Sequence, residues 1–204
     1  MRRIILIVVV ILLVAPSGVL ASEGFSISLG TEYLPLSKVE YGNPTVNSYE
    51  IYDNMSVESG LYYNFDLGFR VGTIVSFFSK NVDLNGNGSS DIFSWGAGVL
   101  GDYEYEITET GSTRLVFGMD TGYSRFKDSN DFSNRSDNSY WASFLAGIRY
   151  FFSARYYFEF DYRVKWQEFE LTGDPVPKRF DFSGSSLRLA LGYGFFSQKD
   201  STEE

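Results

Sequence analysis

The chemistry open to this 204-residue chain is limited first by two absences: it contains no His and no Cys. Without imidazole or thiol there is no Ser-His-Asp or Cys-His nucleophile system and no ordinary zinc ligand set. Carboxylates remain. Glu159 and Asp161 stand two residues apart, so on an extended strand they share a face. Arg155, Arg163 and Lys165 fall on that same face, and an interior salt-bridge network is the expected use of the pair rather than acid-base catalysis. No enzymatic activity is expected.

One segment has the spacing of a metal loop. Asp83-Leu84-Asn85-Gly86-Asn87-Gly88-Ser89-Ser90-Asp91 follows the opening of a D-x-N-x-N-G calcium loop, with Asp83, Asn85, Asn87 and Asp91 as hard oxygen donors. The twelfth position is Ser94 and not the bidentate Glu, and Asp, Asn, Gly and Ser are also what any solvated hairpin loop uses. Calcium stays a candidate, and no other cofactor is implied. The acidic run Asp128 to Asp137 reads as solvated surface.

The elements that position these groups begin after an export signal. Met1-Arg2-Arg3, an apolar run from Ile4 to Ala15 and the small-residue exit Pro16 to Ala21 have the form of a cleaved signal peptide, with cleavage between Ala21 and Ser22. The run is shorter than the roughly 17 to 25 residues of a spanning helix. The expected division is a signal peptide at 1–21, one β-barrel domain at 22–196 and a polar tail at 197–204. The mature chain then has 183 residues; the formal charge of −9 becomes −11 once Arg2 and Arg3 are removed. That acidic balance argues against a nucleic-acid partner. All 37 aromatic residues lie in the mature part, which is not the composition of a disordered chain.

Period two dominates the mature chain. Eight alternating segments are visible, centred on Phe25–Tyr33, Ile51–Leu61, Leu67–Phe77, Phe93–Tyr105, Leu115–Tyr123, Tyr140–Tyr150, Tyr156–Trp166 and Leu187–Phe195. Connections near Tyr63-Asn64, Ile107 to Ser112 and Phe152 to Ala154 are short. Those from Pro35 to Ser48, Lys80 to Ser90, Lys127 to Ser139 and Glu168 to Gly184 read as long and polar. The expected fold is all-β: an eight-stranded antiparallel up-and-down transmembrane barrel, with short turns and both termini on the periplasmic side.

Three features favour a membrane wall over a soluble lipocalin-type barrel, whose apolar set points inward. The polar face carries most strand glycines, among them Gly60, Gly72, Gly96, Gly98, Gly122 and Gly192, which leave room for large neighbours in a narrow lumen. The apolar face is banded, with Leu29, Val57, Val71, Ala97, Met119, Ala146 and Leu189 mid-strand. Tyr33, Tyr49, Trp95, Tyr123, Tyr140 and Trp166 would form an outer aromatic girdle, and Phe25, Tyr63, Tyr105, Tyr150, Tyr156, Tyr193 and Phe195 an inner one. Finally, the polar face mixes both charges. Glu32, Glu50, Glu58, Asp66, Asp102, Glu104, Asp120, Glu159 and Asp161 share it with Arg70, Arg114, Arg149, Arg155, Arg163, Lys165 and Arg188. Buried charges of this kind must be paired. Three residues depart from the pattern: Asp53 falls on the lipid parity, and Phe78 and Trp141 on the interior parity. A bulge or a displaced strand start is the expected cause.

With these features the mature chain resembles the small eight-stranded outer-membrane barrels of the OmpA membrane domain and OmpX type. The resemblance is one of pattern over the whole mature chain. It implies a bacterial outer-membrane location, a polar and largely plugged interior, and roles in membrane integrity, adhesion or defence. It also implies outer-membrane lipid, lipopolysaccharide and the barrel-assembly machinery as partners, with host or cell-surface ligands reached through the loops. No peptidoglycan-binding segment follows the barrel, and Ser197 to Glu204 trail behind the terminal aromatic pair Phe195-Phe196. A narrow low-conductance channel and a soluble periplasmic lipid carrier are the alternatives.

Overall fold

A computed structural model describes residues 23–41, 47–65, 68–83, 89–108, 111–130, 133–171 and 178–196. They form β1 (Gly24–Tyr41), β2 (Asn47–Asn64), β3 (Phe69–Asp83), β4 (Ser89–Glu106), β5 (Thr113–Asn130), β6 (Ser133–Phe151), β7 (Tyr156–Leu171), β8 (Lys178–Asp181) and β9 (Gly184–Phe196). Every strand pairs antiparallel with its neighbours, and β1 pairs with β9, so the sheet closes on itself. Closure gives every strand a neighbour on both sides, which is the one way a sheet can cross hydrocarbon.

Nine segments occupy eight places in the wall. β8 and β9 hold one register on β7, with Glu168 opposite Asp181 and Lys165 opposite Gly184. Against β1 they are one residue out of step, with Lys38 opposite Asp181 but Tyr33 opposite Leu187. The extra residue is a bulge around Phe182 and Ser183. Its backbone groups remain satisfied, since Phe182 N–H donates to the Gln167 carbonyl at 2.9 Å and Gln167 N–H to Ser183 Oγ at 3.0 Å.

The strands outrun the segments that alternation delimits. Three of the four stretches expected as long loops are mostly strand: β1 runs to Tyr41 and β2 starts at Asn47, β3 and β4 reach Asp83 and Ser89, and β5 and β6 reach Asn130 and Ser133. Part of the fourth is β8 and the end of β7. Ladder hydrogen bonds need only backbone, so Ser, Asn and Asp continue a strand once the hairpin is in register. Eighteen residues at about 3.3 Å, tilted about 45°, reach roughly 42 Å, well beyond an apolar band of about 25 Å. The hairpins therefore project past one end of the band, while turns of a few residues close the other, where Gly24 and Phe196 also lie.

Alternation directs the side chains as expected over most of the wall. Leu29, Val57, Val71, Met119, Phe144 and Leu189 are exposed on the outside, each with 40% or more of its surface free. Near the projecting end the parity switches. In β1 both Leu34 and Ser37 face inward, while Pro35 and Leu36 face out; opposite them Asn54 and Ile51 face inward, and Tyr52 and Asp53 out. Asp53 carries the switch with φ of 56°, a left-handed conformation that Asp tolerates. Ile51 is thus interior and Glu50 exterior, the reverse of the parity extrapolated from the rest of β2. The other two exceptions need no bulge: Phe78 and Trp141 sit in regular register and point into the lumen.

Candidate functional site

The lumen is filled in tiers. Nearest the short turns, Arg114 pairs with Glu104 and Glu106, each at 2.7 Å, and its guanidinium lies over the Phe151 ring. Arg149 joins Glu104 to Glu159, its Nε donating to Glu159 Oε2 at 2.7 Å. Arg70 clasps Asp102 through two nitrogens, reaches Glu159 at 3.2 Å and stacks on Tyr62 with 4.1 Å to the ring centre. Glu159 is the hub, because Arg188 also binds it.

The chain of charges continues upward. Arg188 contacts Asp161 at 2.9 Å and Glu58 at 2.6 Å. Arg163 donates to Glu58 at 2.9 Å and lies 3.5 Å from Asp120. Lys165 pairs with Glu32 at 3.4 Å, and Ser186 Oγ donates to Glu32 at 2.7 Å. Arg70, Arg149 and Arg188 are among the largest fully buried side chains. Strand alternation places all these groups on one face of β1, β2, β3, β4, β5, β6, β7 and β9, and the closed wall turns that face inward.

The lumen also holds an apolar cluster, which the polar parity alone does not announce. Tyr62, Ile74, Leu100, Val116, Trp141 and Leu145 form one buried cluster. Trp141 fits because Gly96, Gly98 and Gly122 clear a trench for it; a Cβ at Gly122 would stand 2.3 Å from its ring. Its indole N–H donates to Asp120 at 2.7 Å, beside Ser143 Oγ on the same carboxylate. Gly60 and Gly192 make the same room for Tyr62 and Tyr157.

Above the charges sits an aromatic plug. Leu34, Ile51, Ile92, Phe126, Phe169, Leu171, Phe180 and Phe182 are buried together, with Phe126 rings 4.7 Å from Phe169 and 4.6 Å from Phe180. Five of the eight (Ile51 at the parity switch, and Phe169, Leu171, Phe180 and Phe182 in a stretch expected as loop) could not be assigned to the lumen from alternation. The inward parity of Phe169 and Leu171 continues that of Gln167, and that of Phe180 and Phe182 matches Ser186, which is the signal that could have found these four; Ile51 had none. Between plug and charges lies a cavity of about 50 Å³, floored by Glu32, Lys165, Ser56, Ser76, Ser94 and Ser124 and roofed by Leu34, Phe78, Phe169 and Phe182. A space of this size takes a few water molecules.

The remaining candidate residues are placed as follows. Asp66, Asn85 and Asn87, and the side chains of Tyr49 and Asp83, lie outside the described residues. Asp91 is exposed on β4 and accepts a bond from Asn81 Nδ2 at 2.7 Å. Arg155 belongs to a short turn rather than the lumen; it is exposed and donates to the Tyr193 hydroxyl. Trp95, Tyr105, Tyr123, Tyr140, Tyr150, Trp166 and Phe195 are exposed outside the barrel, and Tyr33, Tyr156 and Tyr193 are half-buried there. At the short-turn end these rings touch edge to face, Phe25 with Tyr63 and Tyr193 with both Tyr156 and Phe195.

No family model and no curated protein matches the chain in sequence. Solved structures do match in shape. The outer membrane protein OprG from Pseudomonas aeruginosa superposes with a TM-score of 0.67 at 13% identity, covering 89% of this chain and 100% of that one. Neisserial surface protein A, NspA, superposes with a TM-score of 0.54 at 14% identity, covering 84% and 97%. With its closed eight-place wall, apolar exterior and ion-paired lumen, the chain has the fold of the small eight-stranded outer-membrane β-barrels.

Proposed function

We propose that this protein is a non-conducting outer-membrane barrel that reinforces the membrane and offers its projecting hairpins as a contact surface for other cells, matrix or lipopolysaccharide. The observation that carries the reading is the double closure of the lumen: a continuous ion-pair network in its lower part and an aromatic plug above it. Eight strands leave a lumen that side chains can fill, and here they fill it. The hairpin end then faces outward from the cell and the short turns face the periplasm. The name of NspA, a surface protein, accords with this reading.

A carrier of small lipids needs an open apolar pocket inside, whereas here the apolar side chains of the lumen pack against one another beside the ion pairs, and Leu29, Met119 and Leu189 face out. The channel reading draws on the polar-floored cavity beneath the plug. Planar-bilayer recording on refolded protein separates the two surviving readings. The proposed role predicts no persistent current, with or without calcium; a large steady conductance would transfer the case to a channel. Shortening the β5–β6 hairpin is expected to weaken attachment of the protein to cells while leaving barrel folding intact.

A further inference from the structure

We propose that Arg125 and Lys127 on β5 form a phosphate-binding site on the outer wall, taking the headgroup of an outer-leaflet lipid. Both side chains are exposed and, two residues apart on one strand, point outward from the barrel. Their surroundings differ from those of the other described cations, of which Lys80 is held by the Tyr52 and Asp53 carbonyls and Arg155 lies at the short-turn end on the Tyr193 hydroxyl. Arg70, Arg114, Arg149, Arg163, Lys165 and Arg188 are committed to carboxylates inside, and Arg179 pairs with Glu168. Exposed Lys38 stands between Glu50 and Asp181 on the flanking strands. Arg125 instead stands between Trp95 and Asn138, and Lys127 between Phe93 and Ser136, all neutral.

The nearest acid of that face, Asp91, is one diagonal step from Lys127 and accepts a bond from Asn81. Asp128 is fully buried, and Asp137 accepts the backbone N–H of Glu170. In a chain of net charge −9, two adjacent outward cations with neutral cross-strand partners are a local positive site.

Height along the wall identifies the ligand. Below Arg125 on β5 the outward residues are Tyr123, Thr121, Met119, Phe117 and Leu115, ending at Thr113. The ten steps from Thr113 to Tyr123, at about 3.3 Å each and tilted about 45°, rise roughly 23 Å, close to the full apolar band of about 25 Å. Tyr123, edge to face with the highly exposed Tyr140, and Trp95 beside Arg125 mark its upper edge. The two cations stand just above that edge, where lipid phosphates lie. An Arg fork binds a phosphate through two oxygens, and a neighbouring Lys adds a point charge.

The site rests on the reading of the barrel as membrane-embedded, and the test keeps the two apart. Wild type and variants are refolded into phosphatidylcholine vesicles carrying a minor fraction of phosphatidic acid. The preference for spin-labelled phosphatidic acid over spin-labelled phosphatidylcholine is then read at the protein surface. Wild type is expected to favour phosphatidic acid, with about fivefold lost per charge removed. R125Q/K127Q is expected to bring the ratio close to one, whereas R125K/K127R and K38Q keep it. Persistence of the preference in R125Q/K127Q, or its equal loss in K38Q, overturns the site. Loss of the preference on adding inorganic phosphate at constant ionic strength overturns the lipid as its source and makes it a soluble-anion site. Failure of the membrane reading shows separately, as a protein that does not enter vesicles.

Discussion

Glu159 holds three guanidiniums at once, those of Arg70, Arg149 and Arg188. All four groups are essentially without solvent contact, so none can turn to water if one partner is removed. Breaking a buried pair from one side costs about 3 to 5 kcal/mol, because the charge left behind is uncompensated. Glu159→Ala is expected to destabilise the barrel by about that amount in urea unfolding from lipid vesicles. A cost below about 1 kcal/mol, the range of exposed pairs, would mean that the network is open to water. Trp141 poses a packing question of the same size. Truncation to Ala would empty the trench cut by Gly96, Gly98 and Gly122 and strip one donor from Asp120. Trp141→Ala is expected to lose about 3 to 5 kcal/mol. Filling the trench from the other side, with Gly122→Val, should be destabilising too, since the Trp141 ring already occupies that space. Equal stability of wild type and Gly122→Val in the same titration would show that the ring does not lie there.

At the scale of the strand, the two faces of the wall have opposite tolerances. Val75 and Leu189 point out of the barrel near mid-strand, whereas Val71 stands third in β3 opposite Tyr63. An Arg at Val75 or Leu189 is expected to cost about 2 to 4 kcal/mol if it lies near the bilayer midplane. Unchanged folding into lipid for both variants would reverse the assignment of faces. This much was legible from alternation, because a period of two along eight segments leaves only the choice of which face is wet, and Gly and mixed charge mark the lumen. Three things were not legible. The lengths of the strands were hidden because residues such as Ser129 and Asn138 look like loop, although they pair across β5 and β6 as any residue can. The parity switch at Pro35-Leu36 and Tyr52-Asp53 depends on a single backbone rotation at Asp53. The aromatic plug followed from both errors, since Phe169, Phe180 and Phe182 lay in an expected loop and Ile51 on an inverted strand. The extended ladder makes its own prediction: backbone amides from Arg125 to Ser129 should exchange slowly with solvent deuterium, although they stand above the membrane. Exchange as fast as in an open loop would show that β5 ends near Tyr123.

For the whole molecule, closure of the wall and closure of the lumen are separate properties, and they can be separated by experiment. The wall is held by ladders on every strand, including β1 with β9. A closed barrel of this kind should resist detergent, so unboiled protein is expected to migrate differently from boiled protein on a denaturing gel; identical migration would argue against closure. The lumen is blocked twice in series. The plug turns on Phe126, whose ring touches those of Phe169, Phe180 and Phe182. Removing it, as in the double variant Phe126→Ala with Phe169→Ala, would open only the upper cavity toward the hairpins, since the Arg163–Glu58 and Arg188–Glu159 pairs close the passage beneath. Two barriers in series conduct no better than the tighter one. The double variant is therefore expected to stay as silent as wild type in planar bilayers while a small polar dye gains access to Trp141 and quenches its fluorescence. A current appearing on removal of the plug alone would mean that ions pass the charged tier. The network would then be a selectivity element and not a seal.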